Sequence, residues 1–264
     1  TLSNNKGINR QGGGLSAPAL TAKDMEDIKV AAQMQADYVA VSFPKSGADM
    51  YMARTLLRAA GGKGALIAKI ERAEAIVNLE EILDACDGVM VARGDLAVEV
   101  GDAAVPALQK RMIRMARDKN KLAITATQMM ESMIHSPVPT RAEVSDVANA
   151  VLDGTDAVML SAETAAGKYP VETVEAMARI CLEAEKSADY SLDRDLLQRE
   201  FTRVDQAIAM AALFTANHMK VKAIAALTQT GSTALWMSRL NCGVPIYALT
   251  PEQDAYRRMA LYRD

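Results

Sequence analysis

Side chains that could bind charged ligands follow four apolar runs of the chain. The runs end in Lys69-Ile70-Glu71, Arg93-Gly94-Asp95, Thr125-Ala126-Thr127-Gln128 and Ser161-Ala162-Glu163. If these runs are neighbouring parallel strands, their carboxyl ends share one edge of a sheet, which is where α/β proteins bind ligands. Because residues i and i+2 point to the same face of a strand, Lys69 and Glu71 are predicted to face one site. The sequence therefore predicts an active site along this edge.

Two acidic residues at neighbouring strand ends suggest a metal site. Glu71 and Asp95 are suited to a hard divalent cation such as Mg²⁺, which is commonly held by one or two carboxylates together with substrate oxygens. An equally acceptable interpretation is that they form structural ion pairs with Lys69, Arg72 or Arg93. Lys69 itself is either such an ion-pair partner or a cation directed at developing negative charge.

Gly94 and Thr127 have a functional and a structural interpretation. Gly94 would let a ligand approach the backbone closely, and the amides of Gly94 and Asp95 could receive an anion. A simple glycine turn fits the same residues. The default interpretation of the Thr127 hydroxyl is that it satisfies a backbone carbonyl.

The elements that would position these residues alternate between short apolar runs and amphipathic segments. Each run is too short for a typical helix and is apolar on both faces, as buried parallel strands are. The runs span residues 37–43, 65–71, 88–95, 122–128 and 157–163. Helices are predicted between them, with Thr21 capping the first and a Thr140–Glu143 capping box starting a later one. The sequence therefore predicts a parallel α/β sheet with crossover helices.

The pattern changes after residue 188, which predicts a second unit. The charged segment 190–201 is interpreted as a linker or hinge, so we divide the chain into domains 1–190 and 191–264. Helices are predicted at 204–218 and 232–241, and strands at 223–228 and 245–249. The segment LTQTGSTA (227–234) would make a phosphate cradle or an ordinary capped turn. It is not a Walker loop, because the GxxxxGK[ST] pattern is absent.

Composition excludes several classes of protein. The 264 residues carry a formal charge of −3, which argues against a general nucleic-acid binder. No apolar run approaches the roughly 18 residues that a membrane span needs, so no membrane partner is expected. Cys86, Cys181 and Cys242 form no metal or disulfide pattern, which is typical of a reducing cytosol and predicts a cytoplasmic location.

Five segments together resemble pyruvate kinase, in the wording of its bacterial forms. They are AKIE (68–71), MVARGDLAVEVG (90–101), ITATQMMESM (124–133), residues 139–170 from PTRAEV to GKYP, and TQTGSTA (228–234). The resemblance implies transfer of a phosphoryl group from phosphoenolpyruvate to ADP. It also implies a partial TIM (β/α)8 barrel of about five βα units followed by part of an α/β regulatory domain.

The resemblance also implies roles for residues on the predicted edge. Glu71 and Asp95 would hold Mg²⁺ or Mn²⁺, with K⁺ as a further candidate cofactor. Lys69 would stabilise the migrating phosphoryl group and the enolate oxygen. The amides of Gly94 and Asp95, with the Thr127 hydroxyl, would bind the substrate carboxylate.

Further roles follow from the same resemblance. Ser161 and Glu163 would belong to a polar relay that helps to protonate the enolate carbon, and Arg141 would support a subunit interface in a homotetramer. A sugar-phosphate or nucleotide effector would bind a loop formed by Thr228, Thr230, Gly231, Ser232 and Thr233.

Two small departures and one large departure from the family pattern are visible. Ala97 and Ala162 replace frequent glycines and add only a methyl group each. The first three barrel strands, the lid domain and the end of the regulatory domain have no counterpart, so we expect an internal fragment with little or no turnover alone. The alternatives are a metal-dependent lyase or aldolase acting through a pyruvate enolate, and a non-catalytic fragment that binds an effector.

Overall fold

The computed structural model describes residues 10–14, 17–187, 201, 203–240 and 243–263. Cys242 and the predicted domain boundary between residues 190 and 191 lie outside these residues. The predicted linker 190–201 also lies outside them, apart from residue 201.

A five-stranded parallel sheet forms the larger unit, so the predicted α/β class is confirmed. The strands are β1 (Tyr38–Val41), β2 (Ala65–Ile70), β3 (Gly88–Ala92), β4 (Leu122–Ala126) and β5 (Ala157–Met159). They pair in sequential order from β1 to β5, each parallel to the next. Within the described residues the sheet is open, because β1 and β5 are its two edges.

Helices connect successive strands, as the alternating pattern predicts. They are α1 (Ala22–Gln33), α2 (Gly47–Ala59), α3 (Ala73–Val77), α4 (Leu79–Ala85), α5 (Arg93–Val100), α6 (Val105–Asp118), α7 (Arg141–Leu152), α8 (Ala162–Ala165) and α9 (Pro170–Ser187). Thr21 caps α1 and Thr140 caps α7, and each has a reciprocal capping box with an acidic residue three positions later. Both predicted caps are confirmed.

Several predicted boundaries are wrong, and the errors fall next to the site. The run predicted as strand 88–95 ends at Ala92, and helix α5 begins at Arg93. The fourth run ends at Ala126, because Thr127 and Gln128 adopt φ of 69° and 53°, which no strand accommodates. The fifth run ends at Met159. Local turns at the carboxyl edge thus replace the last residues of the predicted strands.

Both faces of the sheet are buried. On the face that the helices cover, Leu66, Ala68 and Ile70 pack into the main core together with residues of those helices. On the other face, Ile67 packs with residues from β3 and β4 and with Leu261. The alternation along β2 therefore buries every residue of the strand except Lys69, which explains why the run is apolar throughout.

A second unit follows residue 203. It consists of α10 (Val204–Met219), β6 (Ile224–Leu227), α11 (Ser232–Ser238), β7 (Ile246–Leu249) and α12 (Gln253–Met259). Its two strands are parallel, and a small core that includes Leu213 and Met237 lies between strands and helices. The predicted order of elements is confirmed.

The second unit contacts the first at the amino ends of the large sheet. Arg239 forms an ion pair with Asp156, just before β5, and donates to the carbonyl of Lys121, just before β4. Arg257 pairs with Asp37, just before β1. These contacts lie at the edge opposite the predicted site.

Candidate active site

Lys69 and Glu71 lie together at the carboxyl end of β2. The distance from Lys69 Nζ to Glu71 Oε1 is 2.7 Å, as the i, i+2 spacing predicts. Glu71 is 1% exposed, and its other oxygen accepts a hydrogen bond of 2.9 Å from the Phe43 amide. Lys69 Nζ also donates to Ser42 Oγ at 3.1 Å. The end of β1 therefore contributes to the same site.

A second carboxylate close to Glu71 makes the donor set suitable for a divalent cation. Burial raises the pKa of Glu71. Lys69 and the hydrogen bond from the Phe43 amide lower this pKa, whereas the negative charge of Asp95 raises it further. Two neighbouring carboxylates also attract a cation, and Mg²⁺ prefers such oxygen ligands. Within the described ranges, no group of three or more His, Cys, Asp or Glu side chains is arranged so that it could hold a metal ion by itself. The residues present fit a cation that takes its other ligands from water or substrate.

Gly94 and Thr127 meet just beyond the paired carboxyl ends of β3 and β4. The Gly94 amide donates to Thr127 Oγ1 at 2.8 Å, and this hydroxyl donates to the Ala126 carbonyl at 2.6 Å. A Cβ added at Gly94 would lie 3.7 Å from Thr127 Oγ1, which is an ordinary contact. The fold itself therefore does not demand glycine at this position.

Ser161 and Glu163 form a separate group after β5. Glu163 is buried, and its carboxylate accepts hydrogen bonds from the amides of Ser161 at 2.7 Å and Met130 at 3.2 Å. It thereby joins the start of α8 to the loop after β4. Ser161 is exposed, and Arg141 is exposed as the first residue of α7.

The loop before α11 is organised by its own hydroxyl groups. Thr228 Oγ1 accepts from the Gly231 amide at 3.0 Å, and the hydroxyls of Thr230 and Ser232 are 2.6 Å apart. Gly231 has φ of 85°, and a Cβ there would approach Met259 Cγ to 2.9 Å. Thr233 follows in the first turn of α11. The N-cap residue of α11 is Gly231, so no side chain caps this helix. The capped-turn interpretation is therefore not confirmed, and effector binding stays a prediction.

Sequence reasoning missed two residues of the site, and it considered a third, Arg72, only as an ion-pair partner. Ser42 and Phe43 directly follow β1, so the rule applied to the other four strand ends would have found them. Arg72 lies with its guanidinium 5.4 Å from the centre of the Phe43 ring, a cation–π contact. Only the fold brings these two side chains together.

Two family models match the chain. The model described as "Pyruvate kinase, barrel domain" matches residues 1–174, and "Pyruvate kinase, alpha/beta domain" matches residues 206–264. The chain belongs to the pyruvate kinase family. The five-stranded sheet is accordingly part of the pyruvate kinase barrel domain.

Curated relatives agree with this assignment. The chain is 56% identical to "Pyruvate kinase" of Haemophilus influenzae, 57% to "Pyruvate kinase II" of Salmonella typhimurium and 48% to "Pyruvate kinase 2" of Synechocystis. Each match covers 99% of this chain but only 56%, 55% and 44% of the respective relative. The chain therefore spans about half the length of these pyruvate kinases. Within the described residues, no helix combines the length and apolar character that crossing a membrane requires.

Proposed function

We propose that this chain supplies catalytic residues of a pyruvate kinase, a glycolytic phosphotransferase. The bond between the enol oxygen of phosphoenolpyruvate and phosphorus would break, and an oxygen of the ADP β-phosphate would form the new bond to phosphorus. The enolate that leaves would take up a proton at carbon and become pyruvate, and ATP would be the second product. The observation that carries this proposal is the Lys69–Glu71 pair beside Asp95 at a strand end.

Lys69 acts on the charge that develops during transfer. Its ammonium is held by Glu71 and Ser42, so it is fixed at the edge of the sheet before substrate arrives. A positioned cation stabilises charge on the migrating phosphoryl group and on the enolate oxygen, and phosphoryl transfer depends mainly on such stabilisation. Glu71 and Asp95 would hold Mg²⁺ or Mn²⁺, which supplies further positive charge to the substrate oxygens.

The substrate carboxylate would bind at Gly94 and Thr127 by exchanging hydrogen bonds. In the structure the Gly94 amide donates to Thr127 Oγ1. A bound carboxylate oxygen replaces that acceptor, and the Thr127 hydroxyl turns from the Ala126 carbonyl to donate to the ligand. The Gly94 amide and the Thr127 hydroxyl would thus keep hydrogen-bond acceptors within the protein until the ligand replaces those acceptors.

The remaining roles belong to the same proposal. Ser161, exposed beside the buried Glu163, would relay a proton towards the enolate carbon. Arg141 would support a subunit interface of a homotetramer, and the loop from Thr228 to Thr233 would bind a sugar-phosphate or nucleotide effector. We also propose K⁺ as a cofactor and a cytoplasmic location.

A chimera tests the reaction directly. This chain replaces the matching residues of the Haemophilus influenzae relative, and pyruvate formation from phosphoenolpyruvate is followed with and without ADP. We expect ADP-dependent pyruvate formation that Lys69→Met abolishes, whereas Lys186→Met, at an exposed position of α9, leaves it intact. Loss of phosphoenolpyruvate without ADP would favour the lyase alternative. An inactive chimera that still binds a sugar phosphate would favour the effector-binding fragment.

The isolated chain tests the metal site. We expect the 264-residue chain to show little or no turnover, because it spans about half of its relatives, but to bind Mn²⁺. Asp95→Asn should weaken Mn²⁺ binding measured by electron paramagnetic resonance, whereas Asp84→Asn, on the exposed face of α4, should not. Equal Mn²⁺ affinity in the wild-type and Asp95→Asn chains would remove Asp95 from the proposed site.

A further inference from the structure

Arg93 holds the turn that presents Thr127. Its Nη2 donates to the Thr127 carbonyl at 2.8 Å, and its Nε lies 3.3 Å from the carbonyls of both Ala126 and Thr127. Its Nη1 is 2.7 Å from a carboxylate oxygen of Asp146 on α7. The guanidinium also lies 2.8 Å from the Met129 sulfur. One side chain therefore bridges the end of β4 and a helix on the far side of the turn.

The turn that Arg93 contacts has a strained backbone. Thr127 has φ of 69° and Gln128 has φ of 53°, two consecutive residues in the left-handed region. A β-branched residue with positive φ is an outlier, and such conformations persist only where surrounding contacts enforce them. In this conformation the Thr127 hydroxyl accepts a hydrogen bond from the Gly94 amide.

From these contacts we infer that Arg93 is a positioning residue for the Thr127 hydroxyl. Its planar guanidinium clamps the carbonyls of the turn on one side, and Asp146 holds the guanidinium on the other. The sequence offered Arg93 as a structural ion-pair partner of Glu71 or Asp95, and the structure pairs it with Asp146. The consequence for ligand binding rests on the proposed function, whereas the clamp itself does not.

The geometry requires arginine rather than any cation. The guanidinium presents several donors in one plane, so it can bond two carbonyls and a carboxylate at once. A lysine has a single terminal nitrogen that cannot reach both sides of the bridge. Arg93→Lys is therefore the sharpest variant, because it keeps the charge and removes the clamp.

Arg54 provides a matched control. Its Nη2 also bonds a backbone carbonyl, that of Ala85, and an aspartate, Asp87, each at 3.0 Å. This second bridge lies at the amino end of β3, away from Thr127. Arg54→Lys should therefore loosen its own surroundings without affecting the proposed site.

The test measures hydrogen exchange of the Gly94 amide in the 264-residue chain by ¹⁵N NMR. Arg93→Lys should make this exchange about tenfold faster, because the hydroxyl that protects the amide moves away. Arg54→Lys should leave the rate unchanged. Asp146→Asn keeps Arg93 but weakens the ion pair that holds its guanidinium, so it should speed up Gly94 exchange by a smaller factor. This variant replaces Arg93→Lys in the test if Arg93→Lys does not fold.

A second measurement uses oxalate, a planar dianion similar to a pyruvate enolate, titrated in the presence of Mn²⁺. Arg93→Lys should weaken oxalate binding about tenfold, with Arg54→Lys as the control. Unchanged Gly94 exchange in Arg93→Lys, or equal acceleration in Arg54→Lys, would overturn the clamp. Failure of the wild-type chain to bind oxalate would count against the proposed function and leave the exchange result standing.

Discussion

The ion pair between Arg239 and Asp156 provides the most demanding test of how the two units are joined. Both side chains are 0% exposed. Asp156 also accepts a hydrogen bond of 2.8 Å from the Ala123 amide, and Arg239 donates at 2.8 Å to the Lys121 carbonyl. Each charge is therefore desolvated, and its partner in the pair carries the charge that balances it.

Removing one partner leaves the other charge buried, which typically costs about 3–5 kcal/mol. We expect Arg239→Met to lower the free energy of unfolding by about this amount, out of a total of about 5–15 kcal/mol for ordinary domains. The double variant Arg239→Met/Asp156→Leu should recover most of the loss, because no buried charge remains. Lys186→Met serves as the control: it removes an exposed pair worth at most about 1 kcal/mol.

Urea denaturation measures these differences with two probes. Trp236, the only tryptophan of the chain, lies in α11 close to Arg239 and reports on the second unit by fluorescence. Circular dichroism reports on the helices of both units. A loss below about 1 kcal/mol for Arg239→Met, or a double variant no more stable than the single one, would refute this account of the junction.

Three further predictions concern single residues. Thr140→Ala should destabilise the chain by about 1 kcal/mol in urea denaturation because it removes the cap of α7, and an unchanged midpoint would contradict the capping box seen here. Burial raises the pKa of the Cys86 thiol to about 11, so we expect it to stay protonated and resist alkylation at pH 8, becoming reactive only as the pH approaches 11. Half-buried Cys181 should be alkylated before Cys86 at pH 8, as followed by mass spectrometry, and the reverse order would show that Cys86 is accessible. Thr127→Val in the chimera should lower kcat by about 10²-fold, and a loss confined to KM would mean that the hydroxyl binds ground state and transition state equally.

The strands and caps could be predicted because their signals are local. In β2, apolar residues at every position but Lys69 indicate burial on both faces, and the threonine–acid spacing at Thr140 is sufficient to place the start of α7. The ends of the strands could not be predicted in the same way. The turn at Thr127 depends on Arg93, 34 residues earlier in the chain, and no local pattern encodes that contact.

In the candidate site, too, local signals predict some features, whereas contacts between distant residues determine the others. The proximity of Lys69 and Glu71 follows from strand geometry alone. The hydrogen bond from the Phe43 amide to Glu71 joins residues 28 positions apart, and Phe43 makes it with φ of 54°. The sequence indicated which residue types stand at the edge of the sheet, but the contacts that fix their orientation arise only in the folded chain.

The strained backbone and the contacts that join the two units lie at opposite edges of the large sheet. Among the described residues other than glycine, Phe43, Thr127 and Gln128 have positive φ directly after strands, whereas Gln35, Asn120 and Lys220 have it after helices, where such a residue commonly ends the helix. Backbone strain that ends no helix therefore collects at the candidate site, as expected where a fold holds functional groups ready.

The opposite edge carries the buried pair of Arg239 and Asp156. Because the two edges share no side-chain partner in the contacts described above, changes at them should act independently. We expect the stability losses of Arg239→Met and Thr127→Val to add within about 0.5 kcal/mol in the double variant. A larger deviation would mean that β4 transmits strain from the junction to the site, since its Ala123 amide bonds Asp156 and its last residue, Ala126, precedes Thr127.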